Sequence, residues 1–312
     1  QRNSSNRSHH VYDVVRGVQK FLHIDGTTVE ATQTNAISSF DSDGFTVGSN
    51  INLNGSSDTY VSWNWKAGGS ASSNSNGSIT SSVSANTTAG FSIVSYTGTG
   101  ATATIGHGLG VAPKMIIIKQ RSASRNWVVG HDSIGWTKYL YLDSNQASAT
   151  GNFFNDTTPS STVFNVVNDS GVNASGGTYI AYCFAEKKGY SKFGSYTGNA
   201  SADGTFVYTG FKPAFLIVKR SDGGTENWGI SDNQRLNNSG NQDGGNGNYV
   251  PHMLATNSSN AESNFGGGSS NEQDYLSNGF KVRYNHVMSN GSGDTYLYMA
   301  FAEHPFKTAR AR

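Results

Sequence analysis

The residues in this chain that could do chemistry are few, and each sits in a pattern that fits a turn or a core. Asp41-Ser42-Asp43-Gly44 places two carboxylates beside a glycine, as calcium loops do, but the other ligands of such a loop are missing, so the segment reads as the turn into Phe45. His107 stands between Gly106 and Gly108 with no acidic residue nearby in sequence and no Gly-x-Ser-x-Gly motif elsewhere, which favours a turn residue over a general base. His9-His10 reads as a surface pair with weak metal affinity. Cys183 is the one cysteine, which excludes an intrachain disulfide and a Cys-based zinc site; inside an apolar run it reads as a small buried filler. A carbohydrate-active enzyme would need paired carboxylates that no segment supplies. The expectation is a protein that is not an enzyme, with no catalytic residue, metal or cofactor.

Composition agrees. Of 312 residues 35% are hydrophobic and 38 are Gly, while 12% aromatics separate the chain from disordered sequences, which are aromatic-poor. Twenty-two basic and 21 acidic residues are spread without runs, a net charge of +1 that leaves no footprint for nucleic acid or an anionic membrane. No stretch approaches the roughly 18 apolar residues of a membrane-spanning helix, so membrane insertion is not expected, and no signal-peptide pattern is found.

The elements that would position any site come from a repeat. Thr295-Tyr296-Leu297-Tyr298-Met299-Ala300-Phe301-Ala302-Glu303 matches Thr178-Tyr179-Ile180-Ala181-Tyr182-Cys183-Phe184-Ala185-Glu186 and, more loosely, Thr59-Tyr60-Val61-Ser62-Trp63-Asn64-Trp65. Tyr60 and Tyr179 are 119 residues apart and Tyr179 and Tyr296 are 117, too long for a solenoid or a propeller blade and right for a small domain. Each tyrosine follows a Phe in a strand-like stretch, Phe45, Phe164 or Phe280, across a Gly/Ser/Asn cluster, which predicts strand, turn, strand in a hairpin-like unit. Ser95-Tyr96-Thr97-Gly98, Pro113 and Lys119 recur 100 residues later as Ser195-Tyr196-Thr197-Gly198, Pro213 and Lys219. Trp127 and Asp132 then match Trp228 and Asp232. The first repeat carries only a later part: Asp13-Val14-Val15-Arg16 matches Asp232-Asn233-Gln234-Arg235, and Lys20-Phe21-Leu22 matches Lys138-Tyr139-Leu140. Opened midway, residues 11 to 67 are expected to be completed by another chain or an upstream segment.

Lys114-Met115-Ile116-Ile117-Ile118-Lys119 and Ala214-Phe215-Leu216-Ile217-Val218-Lys219 are apolar runs of strand length, expected at the sheet centre and buried on both faces. Short strands, Gly-rich turns and almost no amphipathic helix pattern predict an all-β fold of tandem β-sandwich, jelly-roll-like modules with the first incomplete. The boundaries follow: 1–67 a partial first β module, 68–89 a Gly/Ser/Asn-rich connector or exposed strand, 90–187 the second module, 188–306 the third, and 307–312 a basic tail. The recurring Trp127 and Trp228 read as core; the aromatics without full repetition, Trp63, Trp136 and Tyr249, are better candidates for ligand contact. The third module also carries an insertion, 237–249, too rich in Gly and Asn for a core. Such a loop on a rigid scaffold is a place for recognition, with Tyr249 as aromatic anchor and Asn241 and Asp243 as hydrogen-bonding partners for hydroxyl-rich ligands.

The ordered set of motifs Ser95-Tyr96-Thr97-Gly98, Gly108-Leu109-Gly110-Val111-Ala112-Pro113-Lys114, Asn126-Trp127, Tyr179-Ile180-Ala181-Tyr182-Cys183-Phe184-Ala185-Glu186, Gly210-Phe211-Lys212-Pro213-Ala214-Phe215, Leu276-Ser277-Asn278-Gly279-Phe280-Lys281 and Ala300-Phe301-Ala302-Glu303 resembles the repeat-bearing structural proteins of tailed bacteriophages, especially of aquatic bacteria. The resemblance covers nearly the whole chain. It implies a non-enzymatic virion protein at the virion surface, a tail fibre or appendage that mediates host attachment. The implied partners are itself as a homo-oligomer such as a trimer, other virion proteins and host surface glycans, without nucleic acid. The alternative is purely architectural, a capsid or tail decoration protein or the subunit of an extracellular fibre.

Overall fold

The computed structural model describes residue 4 and residues 6–235, 249–250, 253–262 and 273–303. The chain is all-β and of sandwich type, built from antiparallel sheets. It divides into two compact units, one of Gln1–Ser144, Ala149–Ala185 and Asn257–Ala261, the other of Asn145–Ser148, Glu186–Thr256 and Glu262–Arg312. Among the described residues no helix is long and apolar enough to cross a membrane.

In the first unit, β1 (His10–Val11), β2 (Lys20–His23) and β3 (Ala31–Thr32) form a three-stranded sheet, and β4 (Ile37–Phe40) pairs with β5 (Phe45–Val47) around the Asp41–Gly44 turn. That turn is held by Asp41 N donating to Gly44 O at 2.9 Å and by Thr46 Oγ1 donating to Asp41 Oδ2 at 2.9 Å, which uses the carboxylate locally. The strands that follow are β6 (Ser72–Asn74), β7 (Ser81–Asn86), β8 (Phe91–Thr97), β9 (Ala103–Gly106), β10 (Met115–Gln120), β11 (Val128–His131), β12 (Lys138–Tyr141), β13 (Ala149–Thr150), β14 (Val163–Val166) and β15 (Thr178–Phe184). Eight of them make one sheet in the order β13-β12-β11-β10-β15-β8-β7-β6, and β14 pairs with β9 across the core from it. The composition-defined connector 68–89 contains β6 and β7, which extend this sheet beyond β8.

Strand β10 is central and buried at every position, the apolar run Met115–Ile118 as well as Lys119 and Gln120 at its end. Between the sheet and the β9/β14 pair, Val94, Ile116, Ile118, Val128 and Ala181 meet Ile105, Phe164 and Val166 in one apolar cluster. Cys183 lies in the same cluster, fully buried, and burial pushes its thiol far up, so it is an inert filler.

The second unit repeats this plan with β16 (Ser191–Thr197), β17 (Phe206–Tyr208), β18 (Pro213–Arg220), β19 (Gly229–Asp232), β20 (Tyr249–Val250), β21 (Leu254–Ala255), β22 (Gln273–Leu276), β23 (Gly279–Val282) and β24 (Thr295–Ala302). Its sheets are ordered β16-β24-β18-β19-β21 and β17-β23-β22-β20, with Leu216, Val218 and Ala300 facing Val207, Phe280 and Val282 in the core.

The expected hairpin between the Phe and Tyr strands does not form. Strand β14 pairs with β9 while β15 lies in the large sheet, and β23 and β24 are likewise in different sheets. The Gly/Ser/Asn cluster is therefore a corner that carries the chain from one layer of the sandwich to the other. The repeated tyrosine fastens it. Tyr179 OH accepts from Ala174 N at 2.8 Å and donates to Ser170 O at 2.9 Å; Tyr296 OH accepts from Gly291 N at 2.7 Å and donates to Val287 O at 2.6 Å. Tyr60, in the loosest copy, makes the same pair of bonds, from Gly55 N at 2.7 Å and to Ile51 O at 3.0 Å. One hydroxyl thus satisfies a donor five residues back and an acceptor nine residues back in all three repeats.

The register supplies a second test of the repeat. Lys20 faces Thr32 and Phe21 faces Ala31, just as Lys138 faces Thr150 and Tyr139 faces Ala149. Val11 faces Leu22, Val129 faces Leu140 and Ile230 faces Leu254. Reading along the strand, Asp13 and Asp232 share a position that in the second repeat belongs to His131 and not to Asp132. All three side chains accept from the backbone N–H two residues ahead: Asp13 from Val15 at 3.0 Å, His131 from Ser133 at 3.1 Å, Asp232 from Gln234 at 3.0 Å. The one-residue error arose because Asp132 has the expected residue type while His131 has the expected geometry.

Candidate functional site

The sequence candidates separate cleanly in the structure. Asn241 and Asp243 lie outside the described residues. Tyr249 opens β20, where its backbone pairs with that of Asp274. Trp127 and Trp228 are core residues, 1% and 2% exposed, but so is Trp136, which packs edge-on against Phe154 at 5.2 Å and is no ligand platform.

His9 and His10 are not a surface pair. Strand alternation turns them to opposite faces: His9 is buried with Nε2 2.7 Å from Ser258 O, and His10 stacks on Phe21 at 4.8 Å beside His23. Burial pushes His10 down to about 4, with His23 adding to the effect. His107 is fully buried; its Nδ1 accepts from Leu109 N at 3.2 Å and its Nε2 lies 3.2 Å from Ser160 O, so it fastens a turn. Among the described residues no three His, Cys, Asp or Glu side chains converge as metal ligands would.

Two buried lysines occupy one repeated place. Lys119 Nζ donates to Thr27 O at 2.8 Å and to Arg125 O, and Lys219 Nζ donates to Asn145 O at 2.9 Å and to Glu226 O at 2.6 Å. Thr27 and Asn145 are themselves counterparts 118 residues apart, as Lys20 and Lys138 are. Each acceptor loop thus belongs to the repeat before its lysine. Burial lowers both amines to about 8 from about 10.5. A neutral amine keeps two N–H groups, which two carbonyls satisfy.

These shifts set the response to alkaline pH. Between pH 8 and 10.5 the unfolded chain holds protons on these lysines that the native chain has released, so the contribution of the two lysines to stability rises with pH. From above about pH 9 an opposite contribution grows and overtakes it, because among the described residues burial raises ten tyrosines, with Tyr96, Tyr182 and Tyr196 held well above the usual phenol range, and the unfolded chain deprotonates first. The urea midpoint should therefore climb from pH 8 to a maximum between about pH 9 and 10 and fall beyond it. A Lys119→Met, Lys219→Met double variant should show no climb; an unchanged climb in that variant would assign it elsewhere.

A polar depression lies in the first unit, an open hollow of about 390 Å³ floored by Ser73, Thr80, Ser82, Ser95, Thr97 and Thr178, with Arg121 at one end. The sheet makes it. Ser73 faces Ser82, Ser82 faces Ser95 and Thr97 faces Thr178, so hydroxyls run in rows across β6, β7, β8 and β15. Arg121 is held by a two-pronged pair with Glu30, Nε to Oε2 at 2.8 Å and Nη2 to Oε1 at 2.9 Å, and its Nη1 donates to Ser95 Oγ at 3.3 Å. Glu30 offsets the guanidinium charge, and no carboxylate or imidazole lines the hollow. The arrangement can offer hydroxyl groups to a hydroxylated ligand; it has no base to activate a nucleophile. Hydroxyl rows are invisible in sequence because they depend on which Ser and Thr of a polar stretch share a face.

The match with known families spans this whole arrangement. The family model described as Domain of unknown function (DUF7483) matches residues 1–305, covering all three repeats. The chain belongs to the DUF7483 family. No curated protein and no solved structure matches it.

Proposed function

We propose that this DUF7483 protein is a non-enzymatic structural protein of a tailed-phage virion, a tail fibre or surface appendage that attaches to the host envelope through what its β repeats display. The observation that carries this reading is a recurring framework with one connection that differs in length. The tyrosine corners, the buried lysines and the strand registers recur, while the stretch after β19 differs: His131 to Leu140 is 9 residues and Asp232 to Leu254 is 22. Natural scaffolds that recognise varied surfaces place their differences in such connections. The ordered phage-type motifs support the same reading, with copies of the chain and other virion proteins as partners. Weak contacts to host glycans become effective when several copies engage one surface.

Two measurements test it. Antibody labelling of particles should place the chain on the virion exterior, and purified protein should compete with those particles for adsorption to host cells. Replacing Asn238 to Asn248 with a short Gly-Ser turn should weaken that competition while leaving the melting temperature unchanged. Labelled particles whose adsorption is untouched by excess protein would sink the attachment reading in favour of an architectural subunit.

A further inference from the structure

Among the described residues, strand β17 is one of the two edge strands of the four-stranded sheet in the second unit. Its central residue Val207 is buried, while Phe206 and Tyr208 on either side are 44% and 65% exposed. Residues two apart on a strand share a face roughly 7 Å apart, so the two rings stand side by side on the outside. A lone surface aromatic is ordinary, but a pair on an exposed edge invites aggregation and is not retained for folding's sake.

The repeat provides an internal control. Val207 faces Phe280 as Ile105 faces Phe164, which sets Phe206 and Tyr208 at the places of Thr104 and Gly106. There the same edge is covered: Ile79 bridges to Ile105, Ile79 N donates to Thr104 O at 3.0 Å, and Ser78 and Thr104 exchange bonds at 2.9 Å. A small polar residue and a glycine serve the fold at these two positions, so the rings of β17 answer to something other than the core.

What surrounds the rings specifies a ligand class. Gly279 stands opposite Tyr208, where a Cβ would come 2.1 Å from Val207 O and 3.0 Å from the Phe206 ring, so the close approach of the two strands requires glycine and leaves no side chain beside the rings at this position. Lys281 stands opposite Phe206 and is ion-paired with Asp203, whose side chain is 80% exposed. Arg283 reaches Asp203 at 3.4 Å and Asp274 at 2.5 Å. Two cations and two carboxylates leave no net charge for an ionic ligand, and their ion pairs discourage an apolar one. Rings for C–H faces beside the exposed Asp203 carboxylate and the partly buried Lys281 ammonium that pairs with it, both able to bond hydroxyls, fit a neutral sugar.

We propose that Phe206 and Tyr208 form a stacking platform for a pyranose of a neutral glycan, with Asp203 and Lys281 as its hydrogen-bonding rim. The proposal names a ligand for the attachment reading, yet it is measured on purified protein and stands or falls without particles. The probe is saturation-transfer NMR of the full 312-residue chain with the methyl glycosides of glucose, galactose, mannose and N-acetylglucosamine, whose C–H faces a ring platform recognises. Transfer to the ring protons of at least one glycoside is expected. It should weaken about tenfold in Kd in Tyr208→Ala, survive in Tyr208→Phe, and vanish in Phe206→Ala, Tyr208→Ala with circular dichroism and melting temperature unchanged. Absence of transfer to all four, or equal transfer in the double variant, overturns the proposal. So does a wild-type dimer in sedimentation that the double variant abolishes, which would make the ledge a contact between copies.

Discussion

Replacing Tyr179 or Tyr296 with Ala should destabilise its unit by about 3–5 kcal/mol, among the largest costs of any single substitution in the protein. Both side chains are fully buried, and each stacks on a partner from the strand beside it, Tyr179 on Tyr96 at 5.1 Å and Tyr296 on Tyr196 at 5.2 Å. Truncation removes a ring from the core and strands the amide and carbonyl that the hydroxyl had satisfied at the corner. The two contributions can be separated. Tyr→Phe keeps the ring and loses only the hydroxyl, which should cost about 1–3 kcal/mol. Tyr60→Phe should cost less than either counterpart, because Tyr60 is half-buried and its corner can draw on water. Urea unfolding of the five variants gives the order directly. If Tyr179→Phe and Tyr296→Phe are as stable as the parent, the corner is held by its own backbone and the repeated tyrosine is merely a core ring.

The same residues separate what the sequence alone makes legible from what it does not. Tyr60, Tyr179 and Tyr296 were legible because a residue performing one local task keeps one spacing. The central strands Met115–Gln120 and Pro213–Arg220 were legible because burial on both faces leaves no polar alternation to interpret. The sheet to which each strand belongs was not. A Gly/Ser/Asn cluster between two strands describes a hairpin and a corner equally well, and the deciding bonds run from a tyrosine hydroxyl to backbone atoms that any sequence would possess. His131 was missed for a related reason, since imidazole Nδ1 and carboxylate oxygen accept the same N–H although their residue types share nothing. Phe206 and Tyr208 escaped notice because an alignment anchored on what recurs passes over positions that differ. The rows of Ser and Thr beside Arg121 needed the register of four strands before they became a surface.

The first repeat makes the sharpest energetic case. Asp13 and Arg16 sit on its sheet and are buried, with Arg16 Nε 2.5 Å from Asp13 Oδ2 and Arg16 Nη2 donating to Val11 O at 2.9 Å. The third repeat builds the same pair internally, Arg235 Nε to Asp232 Oδ2 at 2.7 Å and Nη2 to Ile230 O at 3.1 Å. In the first unit the pair does more, because Tyr182 on the far face of β15 donates to Asp13 Oδ2 at 2.7 Å and lies 3.3 Å from Arg16 Nη2. Trp127 Nε1 adds a bond to His23 O at 2.9 Å. Part of the surface expected to await another chain is thus covered within this one, by the second repeat. Among the described residues, Asp13→Ala leaves a buried guanidinium whose remaining ion-pair partner is the Glu30 carboxylate, 3.4 Å from its Nη1. Breaking one side of such a pair costs about 3–5 kcal/mol, whereas removing both charges at once costs less. The expected result is local. Hydrogen exchange in Asp13→Ala should rise across residues 9 to 32 and leave the core strand Thr178–Phe184 protected, with Asp13→Ala, Arg16→Met recovering part of the loss. Uniform loosening of the whole unit would mean that the first repeat folds as one piece with the second. Unchanged exchange would mean that the sheet of β1, β2 and β3 is held by Leu22 and its apolar neighbours, and that the buried pair adds register but little stability.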